Sequence, residues 1–370
     1  MVRYTLENLA RVPKTLADSV RRTRAEVRQL GKSGLRISNP ILGGAHVGDS
    51  RWLPWTLNRD QALPLLKAAY DRGINTWDTA NVYSNGDSER IMAEAMRLYQ
   101  IPRRKLVLMT KCYRVVCDDE AFDAGSGVTM HQDLALQSKD YMNQSGLSRT
   151  AIFHAVEASL ERLQTSYIDV LHIHRYDDTV APEETMLALH DLVRSGRVRY
   201  IGASSMWTYQ FATLQFTAER NGWTKFVSMQ NHYNLLYREE EREMIRFCRE
   251  NGVGLIPWSP FAAGRLVRSS TLCQPSIRSS LSTTGDIYDI EGSDCDTVIA
   301  RVHEIAAQRG WPASHVNLAW LNRRITAPII GFSSIDRMDE ALSARGLRLS
   351  PEEENYLEEA YQAKAIIGHE

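Results

Sequence analysis

The sequence predicts an α/β fold, a (β/α)8 TIM barrel with long loops after strands three and seven, an N-terminal extension and a C-terminal helix. Three observations predict it. From residue 40 onward, eight short apolar runs alternate with longer amphipathic stretches, the order of repeated βα units around a parallel sheet. The 370 residues leave room for a barrel of about 250 residues plus decorations. With 43% hydrophobic and 24% charged residues, the chain has ordinary globular usage and enough apolar side chains for a large core. This alternation fits one barrel better than two doubly wound domains.

Residues 1–27 stand apart as an N-terminal extension, and residues 28–370 read as a single barrel domain. In the extension Leu6, Leu9, Leu16, Val20 and Val27 recur at roughly helical steps, interrupted by Pro13. Residues 1–39 hold nine Lys or Arg and three acids, a net +6 that leaves −7 for the remainder. A mitochondrial presequence is basic and poor in acids; Glu7, Asp18 and Glu26 dilute this basic face, so a surface arm or packing helix is expected. The strands follow at 41–44, 74–77, 106–110, 168–173, 200–203, 226–229, 254–257 and 328–330. Helices fill the intervals. At 148–164, for example, Ser148 stands as N-cap after Leu147, and Val156, Leu160 and Leu163 form a buried stripe. Two segments, 112–146 and 261–295, are long for barrel loops. Both follow a strand, so both rise from the C-terminal face, where barrel enzymes keep their active sites.

Charge and cysteine usage narrow the function classes. Forty-four basic against 45 acidic residues give a formal charge of −1, which gives no support to a nucleic-acid partner. The five cysteines, Cys112, Cys117, Cys248, Cys273 and Cys295, are odd in number and lack CxxC or metal-ligand spacing, which favours a reduced, intracellular protein. No apolar window is long enough for a membrane span and no secretory signal opens the chain, so a cytoplasmic protein is expected.

The informative residues are the polar ones at apolar strand ends: Asp78 after INTW, Lys111 after LVLMT and His174 after DVLHI. In a barrel these positions converge on one rim, together with Tyr83 in the short loop after Asp78. A phenol has an ordinary pKa of about 10, and a nearby ammonium favours its ionised form. Lys111 is placed to act so on Tyr83, with Asp78 orienting Lys111 and His174 hydrogen-bonding a substrate oxygen. That set suits protonation of a carbonyl oxygen while hydride reaches its carbon, or the reverse. Taken singly, Asp78 reads equally well as a helix cap, Tyr83 as a packed loop aromatic and Lys111 as a surface lysine. His172 and His174, two apart on a strand, face the same side and raise a metal hydrolase as a further reading. Apart from Asp78 no carboxylate or histidine stands at a strand end to complete a ligand set, so no metal is expected.

The run GINTWDTANVYS over residues 73–84, followed by GDSE at 86–89, resembles the first signature region of the aldo-keto reductase superfamily. The likeness continues in order through LSR at 147–149, SLERL at 159–163, YIDVL at 167–171, GRVRYIG at 196–202, QNHYNL at 230–235, PWSP at 257–260 and Ile330-Gly331. It covers roughly residues 28 to 345. The resemblance implies a (β/α)8 barrel and a catalytic tetrad of Asp78, Tyr83, Lys111 and His174.

It also implies NADP(H) as cofactor and assigns contacts. Gly44, Ala45 and His46 resemble the first cofactor-side turn, and Asp78 borders the nicotinamide ribose. Ser204 and Gln230 stand where the family hydrogen-bonds the carboxamide, and Ser205 where it often carries Asn. Trp258 stands where an aromatic ring stacks on the nicotinamide. Ser259, Pro260, Phe261, Ala262, Gly264 and Arg265 resemble the stretch that cradles the pyrophosphate, a task for backbone N–H groups and a cation. Gly331, Ser333, Ser334, Arg337 and Glu340 match the adenosine-side segment. Ser333 and Ser334 replace a basic residue there, Arg337 stands at a Gln position and Ala341 at an Asn position. NADP(H) preference therefore rests on Arg337 and Arg278, and Arg268 and Arg278 are expected to clamp phosphates from the loop after strand seven.

The long loops, with Trp-Ser-Pro at strand seven, are similar to the branch that includes potassium channel β subunits and many fungal and microbial reductases. Some of that branch act chiefly as regulatory subunits, and channel β subunits replace the tetrad His. His174 is present here, which favours an enzyme reducing an aldehyde or ketone to an alcohol. An NADP(H)-binding regulatory subunit with slow turnover is the alternative, motivated by the basic extension 1–27. Tyr113, Trp207, Phe261, Trp52 and Trp55 are aromatics in rim loops, suited to a flat or apolar carbonyl substrate. The pattern resembles fungal secondary-metabolism members, which implies aromatic polyketide intermediates or aryl aldehydes. The branch holds monomers, dimers and tetramers, so a homo-oligomer stays open.

Overall fold

A computed structural model describes residues 12–118, 131–268 and 295–369. The chain opens with helix Lys14–Arg22, for which Pro13 is the N-cap. None of its residues is buried, and Leu16 and Val20 are 54% and 65% exposed. This helix lies on the surface of the described structure. An antiparallel hairpin of β1 (Glu26–Gln29) and β2 (Arg36–Asn39) follows.

Eight parallel strands form the barrel: β3 (Ile41–Gly43), β6 (Thr76–Asp78), β7 (Val107–Cys112), β8 (Ile168–Ile173), β9 (Val198–Ser204), β10 (Ser228–Gln230), β11 (Gly254–Leu255) and β12 (Ile329–Ile330). Each pairs with its sequence neighbour, and β12 returns to β3. Between β11 and β12 the ring is closed by backbone bonds, Thr326 N–H to Leu255 C=O at 2.8 Å and Ile329 N–H to Pro257 C=O at 2.9 Å. Two short strands, β4 (Val47–Gly48) and β5 (Leu57–Asn58), pair in the loop after β3.

All eight predicted strands are present, with small shifts at their ends. Asp78 and Lys111 lie inside β6 and β7 rather than just beyond them, because ladder pairing runs on through Gly43 with Asp78 and Lys111 with His172. The helix after β7 spans Arg149–Arg162, and Ser148 caps it by accepting from Ala151 N–H at 3.2 Å. Val156 and Leu163 are buried as predicted, whereas Leu160 is only half-buried against the core. Helix Pro351–Glu358 is followed by an irregular tail that reaches Tyr237 through Ile367 N–H and Trp207 through the His369 ring.

Register fixes what fills the barrel. Lys111, His172, Gly202 and Ser228 are successive partners across four strands. His172 Nε2 meets Ser228 Oγ at 2.9 Å, across Gly202. A Cβ at Gly202 would lie 2.4 Å from the His172 ring and from Ser228 Oγ, so this position admits only glycine. The HxH pair is thus divided in role. His172 belongs to the barrel interior, where burial pulls its pKa down to about 3 and keeps it neutral. His174 rises to the rim. Among the described residues no cluster of His, Cys, Asp or Glu has metal-ligand geometry.

Candidate active site

The barrel brings the four sequence oddities together at its C-terminal face. Lys111 and Asp78, 0% and 2% exposed, form an ion pair at 2.6 Å. Lys111 Nζ also donates to Thr79 C=O at 2.8 Å, and Gln230 Nε2 donates to the other Asp78 oxygen at 2.9 Å. The ammonium lies 4.9 Å from the centre of the Tyr83 ring. Burial works against the Lys111 charge, but Asp78, and after it Tyr83, outweigh burial and hold the pKa above the ordinary lysine range. For Asp78 burial pushes the pKa up, against Lys111 and Gln230.

Tyr83 comes from the turn after β6. The turn is held by Asn85, whose side chain donates to Cys117 C=O at 2.9 Å and accepts from Cys117 N–H at 2.7 Å. Asn81 adds a bond to Arg114 C=O at 2.7 Å. The loop after β7 is thereby clamped to the turn that carries Tyr83. The His174 ring packs edge-on against Tyr83, 5.9 Å between centres. Its Nδ1 is buried and has no hydrogen-bond partner among the described residues. Burial first, then Lys111, Arg175 and Arg114, pull its pKa well below the usual histidine value, so it is a neutral hydrogen-bonding group.

A cavity of about 580 Å3 opens over this group. Tyr83, His174 and Asp78 line it, as do Arg268, Ser333, Arg337 and Glu340. Its walls include Gly44, Ala45, His46, Ser204, Gln230, Trp258, Ser259, Pro260, Phe261, Gly264 and Gly331, all singled out by the resemblance. Lys111, Ser205, Ala262, Arg265 and Ser334 do not line it. Lys111 is buried behind the lining, paired with Asp78 and 4.9 Å from the Tyr83 ring centre. Ser205 Oγ accepts the Trp258 indole N–H at 3.2 Å, Ala262 is buried, and Ser334 caps helix Ile335–Ser343 by accepting from Arg337 N–H. Arg278 lies outside the described residues. Glu340 is tied to Ser314 and sits 3.5 Å from Arg337. Of the rim aromatics, Trp55 and Phe261 line the cavity, and Trp52 packs 6.1 Å from Tyr83. Trp207 instead stacks edge-on with His369 of the tail, and Tyr113 does not line the cavity. A second cavity, of about 600 Å3, lies on the barrel flank and holds no tetrad residue.

The cavity walls suit a dinucleotide. Between Ser259 and Gly264, four residues (Ser259, Ala262, Ala263 and Gly264) adopt positive φ in a tight turn, closed by Ala262 N–H to Ser259 C=O at 3.0 Å and Gly264 N–H to Phe261 C=O at 2.9 Å. A Cβ at Gly331 would come within 2.7 Å of His46 Nδ1, so backbone can approach there as no side chain could. Trp258 supplies a flat wall. One face of its indole is covered by His232 at 4.2 Å and 9°, and His232 is backed in turn by Tyr237 at 4.2 Å and 11°. Burial pulls His232 down to about 3, so this three-ring stack is uncharged, with the free indole face toward the cavity. The Tyr237 hydroxyl accepts from Ile367 N–H at 3.0 Å, which ties the tail to the same stack.

Sequence reasoning did not single out Arg175, Leu53 or the stack behind Trp258. Arg175 directly follows His174 and lines the cavity. The Asn-His-Tyr run at 231–233 carried no periodicity by which the stacking of His232 could be found.

Comparison with known proteins agrees with this geometry. Residues 41–362 match the model of the aldo/keto reductase family. An aldo-keto reductase of Fusarium vanettenii is 64% identical over the whole of both chains. Versiconal hemiacetal acetate reductase of Aspergillus parasiticus is 46% identical, over 92% of this chain and 98% of its own. A putative aryl-alcohol dehydrogenase of Schizosaccharomyces pombe is 47% identical, over 92% and 96% respectively. No helix among the described residues is long and apolar enough to cross a membrane.

Proposed function

The chain belongs to the aldo/keto reductase family, oxidoreductases that use nicotinamide cofactors on small carbonyl compounds, and on that premise we propose an NADP(H)-dependent reductase that turns an aldehyde or ketone into an alcohol. The observation that carries this reading is the buried Lys111–Asp78 pair at 2.6 Å, set directly beneath the Tyr83 ring. Tyr83 gives its hydroxyl proton to the carbonyl oxygen, and the Lys111 ammonium stabilises the phenolate that remains. Asp78 and Thr79 hold Lys111 in place. His174, neutral, hydrogen-bonds the carbonyl oxygen and aligns it with Tyr83. When bound, the reduced nicotinamide supplies hydride to the carbonyl carbon.

Trp258 takes the nicotinamide on its free face, beside Ser204 and Gln230, and the loop from Ser259 to Arg265 takes the pyrophosphate. Arg268 meets phosphate as well. Arg337, in the cavity wall, supports NADP(H) over NAD(H), because its guanidinium suits the additional ribose phosphate. Trp55 and Phe261 favour an apolar or aromatic substrate, and the aryl alcohol in the name of the Schizosaccharomyces relative agrees with such a substrate; a place in fungal secondary metabolism is part of the same proposal. We take residues 28–370 as one barrel domain acting in the cytosol, with 1–27 as an extension.

The test is a fluorescence titration with NADPH and NADH, followed by a panel of aldehydes and ketones. Tighter NADPH binding and turnover of apolar or aryl carbonyls are expected. Absence of nicotinamide binding would overturn the reading. A slow, cofactor-sensing regulatory subunit is favoured by one observation, the exposed apolar Leu16 and Val20 on the basic arm helix. A partner lost from a pull-down when residues 1–22 are removed, with turnover unaltered, would establish it.

A further inference from the structure

Two neighbouring carboxylates, Glu239 and Glu240 in the segment after β10, are 5% and 4% exposed. A carboxylate so buried is costly unless its oxygens are met. The C-terminal tail meets them. Glu239 accepts from the Tyr361 hydroxyl at 2.6 Å and from Lys364 N–H at 2.7 Å, and Arg242 donates to its other oxygen at 2.6 Å. Glu240 pairs with the His369 ring at 2.8 Å, and that ring packs edge-on against Trp207, 5.0 Å between centres.

What the tail grips between these two anchors leads to Trp258. Ile367 N–H donates to the Tyr237 hydroxyl at 3.0 Å, and the buried Tyr237 ring backs His232, which backs Trp258. Tyr237 and Asn234 also exchange backbone bonds, each at 3.1 Å, while the Asn234 side chain donates to the C=O of Ser259, next to Trp258, at 2.8 Å. Trp207, on the other side of the tail, lies two residues beyond Ser205, whose hydroxyl accepts the Trp258 indole N–H. Both segments that fix the indole, 204–207 and 230–237, are thus joined by the tail.

We propose that the tail sets the nicotinamide platform: Tyr237 is a positioning residue through which Ile367 and His369 hold Trp258 in place, and this slows departure of the nicotinamide end of the cofactor. The inference rests on the nicotinamide-reductase reading above. A ring whose plane is fixed beforehand leaves less ordering to the binding step, and differences of this kind are read mostly in the rate of release.

Tyr237→Phe keeps the ring and removes the acceptor of the Ile367 N–H, whereas His369→Ala removes the anchor on Glu240 and Trp207 and leaves all three stacked rings in the chain. Stopped-flow release of NADPH, read by tryptophan fluorescence, should be faster by about 3- to 10-fold in each variant, the worth of one hydrogen bond. With both substitutions in one chain, the effect should exceed the larger single one by less than about twofold, because the two contacts act through the same rings. A ligand without nicotinamide separates a platform effect from general loosening. 2′-Phospho-ADP-ribose keeps the adenosine and the phosphates, and calorimetry should find its affinity in both variants within about twofold of the intact protein's, since it makes no use of the platform. NADPH release unmoved in either variant, or equal weakening of the two ligands, would overturn the inference while leaving the reductase reading standing. Effects that multiply in the double variant would put the two contacts on separate routes and overturn the role given to Tyr237. Failure of the intact protein to bind NADPH or NADH would instead remove the reductase reading, and the inference with it.

Discussion

Replacing Lys111 by Met keeps the length of the side chain and removes its charge, leaving Asp78 at 2% exposure with Gln230 as its remaining side-chain donor. Breaking one partner of a buried pair costs about 3–5 kcal/mol. The structure permits a tighter estimate, because Asp78, already pushed up by burial, can escape by taking a proton. From an unfolded pKa of about 3.9, neutralising one carboxyl costs about 4 kcal/mol at pH 7 and about 1.5 kcal/mol at pH 5. The sign follows from proton binding. The folded variant holds a proton that the unfolded chain releases above its own pKa, so the variant loses stability as pH rises. Equilibrium urea unfolding, followed by tryptophan fluorescence at both pH values, reads the difference from the unaltered protein. The loss should shrink by about 2–3 kcal/mol between pH 7 and pH 5. Adding Asp78→Asn should recover most of the stability without recovering turnover. A Lys111→Met protein within about 1 kcal/mol of the parent at pH 7, or a loss equal at both pH values, would refute the reasoning.

Other consequences can be measured separately. Burial holds His172 and His232 at about 3, below their unfolded value, so the unfolded chain binds more protons under pH 6.5. Their contribution is complete above that pH and is lost as pH falls toward 3, by about 1.4 kcal/mol for each at pH 5.5; unfolding curves from pH 8 to 5.5 should show the decline, and His172→Asn should flatten it. His232→Ala uncovers the rear of Trp258 and should weaken NADPH binding about 3- to 10-fold, the worth of one aromatic contact, as read by titration of tryptophan quenching. Gly202→Ala places a methyl 2.4 Å from the His172 ring and should destabilise the barrel by about 1–3 kcal/mol in thermal unfolding.

The strands were legible because each is a short apolar run stopped by a polar residue, and Asp78, Lys111 and His174 were legible for the same reason. Their local readings as cap or surface lysine fail once the barrel closes. Lys111, 0% exposed, is then far from a solvated lysine. The residues proposed to meet the cofactor phosphates were singled out only through the family resemblance, since Ser, Gly and Arg in a loop have many ordinary uses. Ser205 and Ser334 illustrate the limit. Both stand beside lining residues, yet one hydroxyl serves the Trp258 indole and the other a helix cap. The Tyr237–His232–Trp258 stack and the tail that reaches it join residues far apart in sequence, with no period to announce them. Arg175 directly follows His174 and lines the cavity, and nothing in the sequence set it apart.

The central claim is that Tyr83 delivers the proton as hydride arrives, and single-turnover reduction of an aryl carbonyl by Tyr83→Phe loaded with NADPH tests it most directly. The account predicts NADPH affinity within about twofold of the parent protein and a hydride-transfer rate lower by at least about 100-fold, the worth of a placed general acid. A rate equal to that of the parent would contradict it.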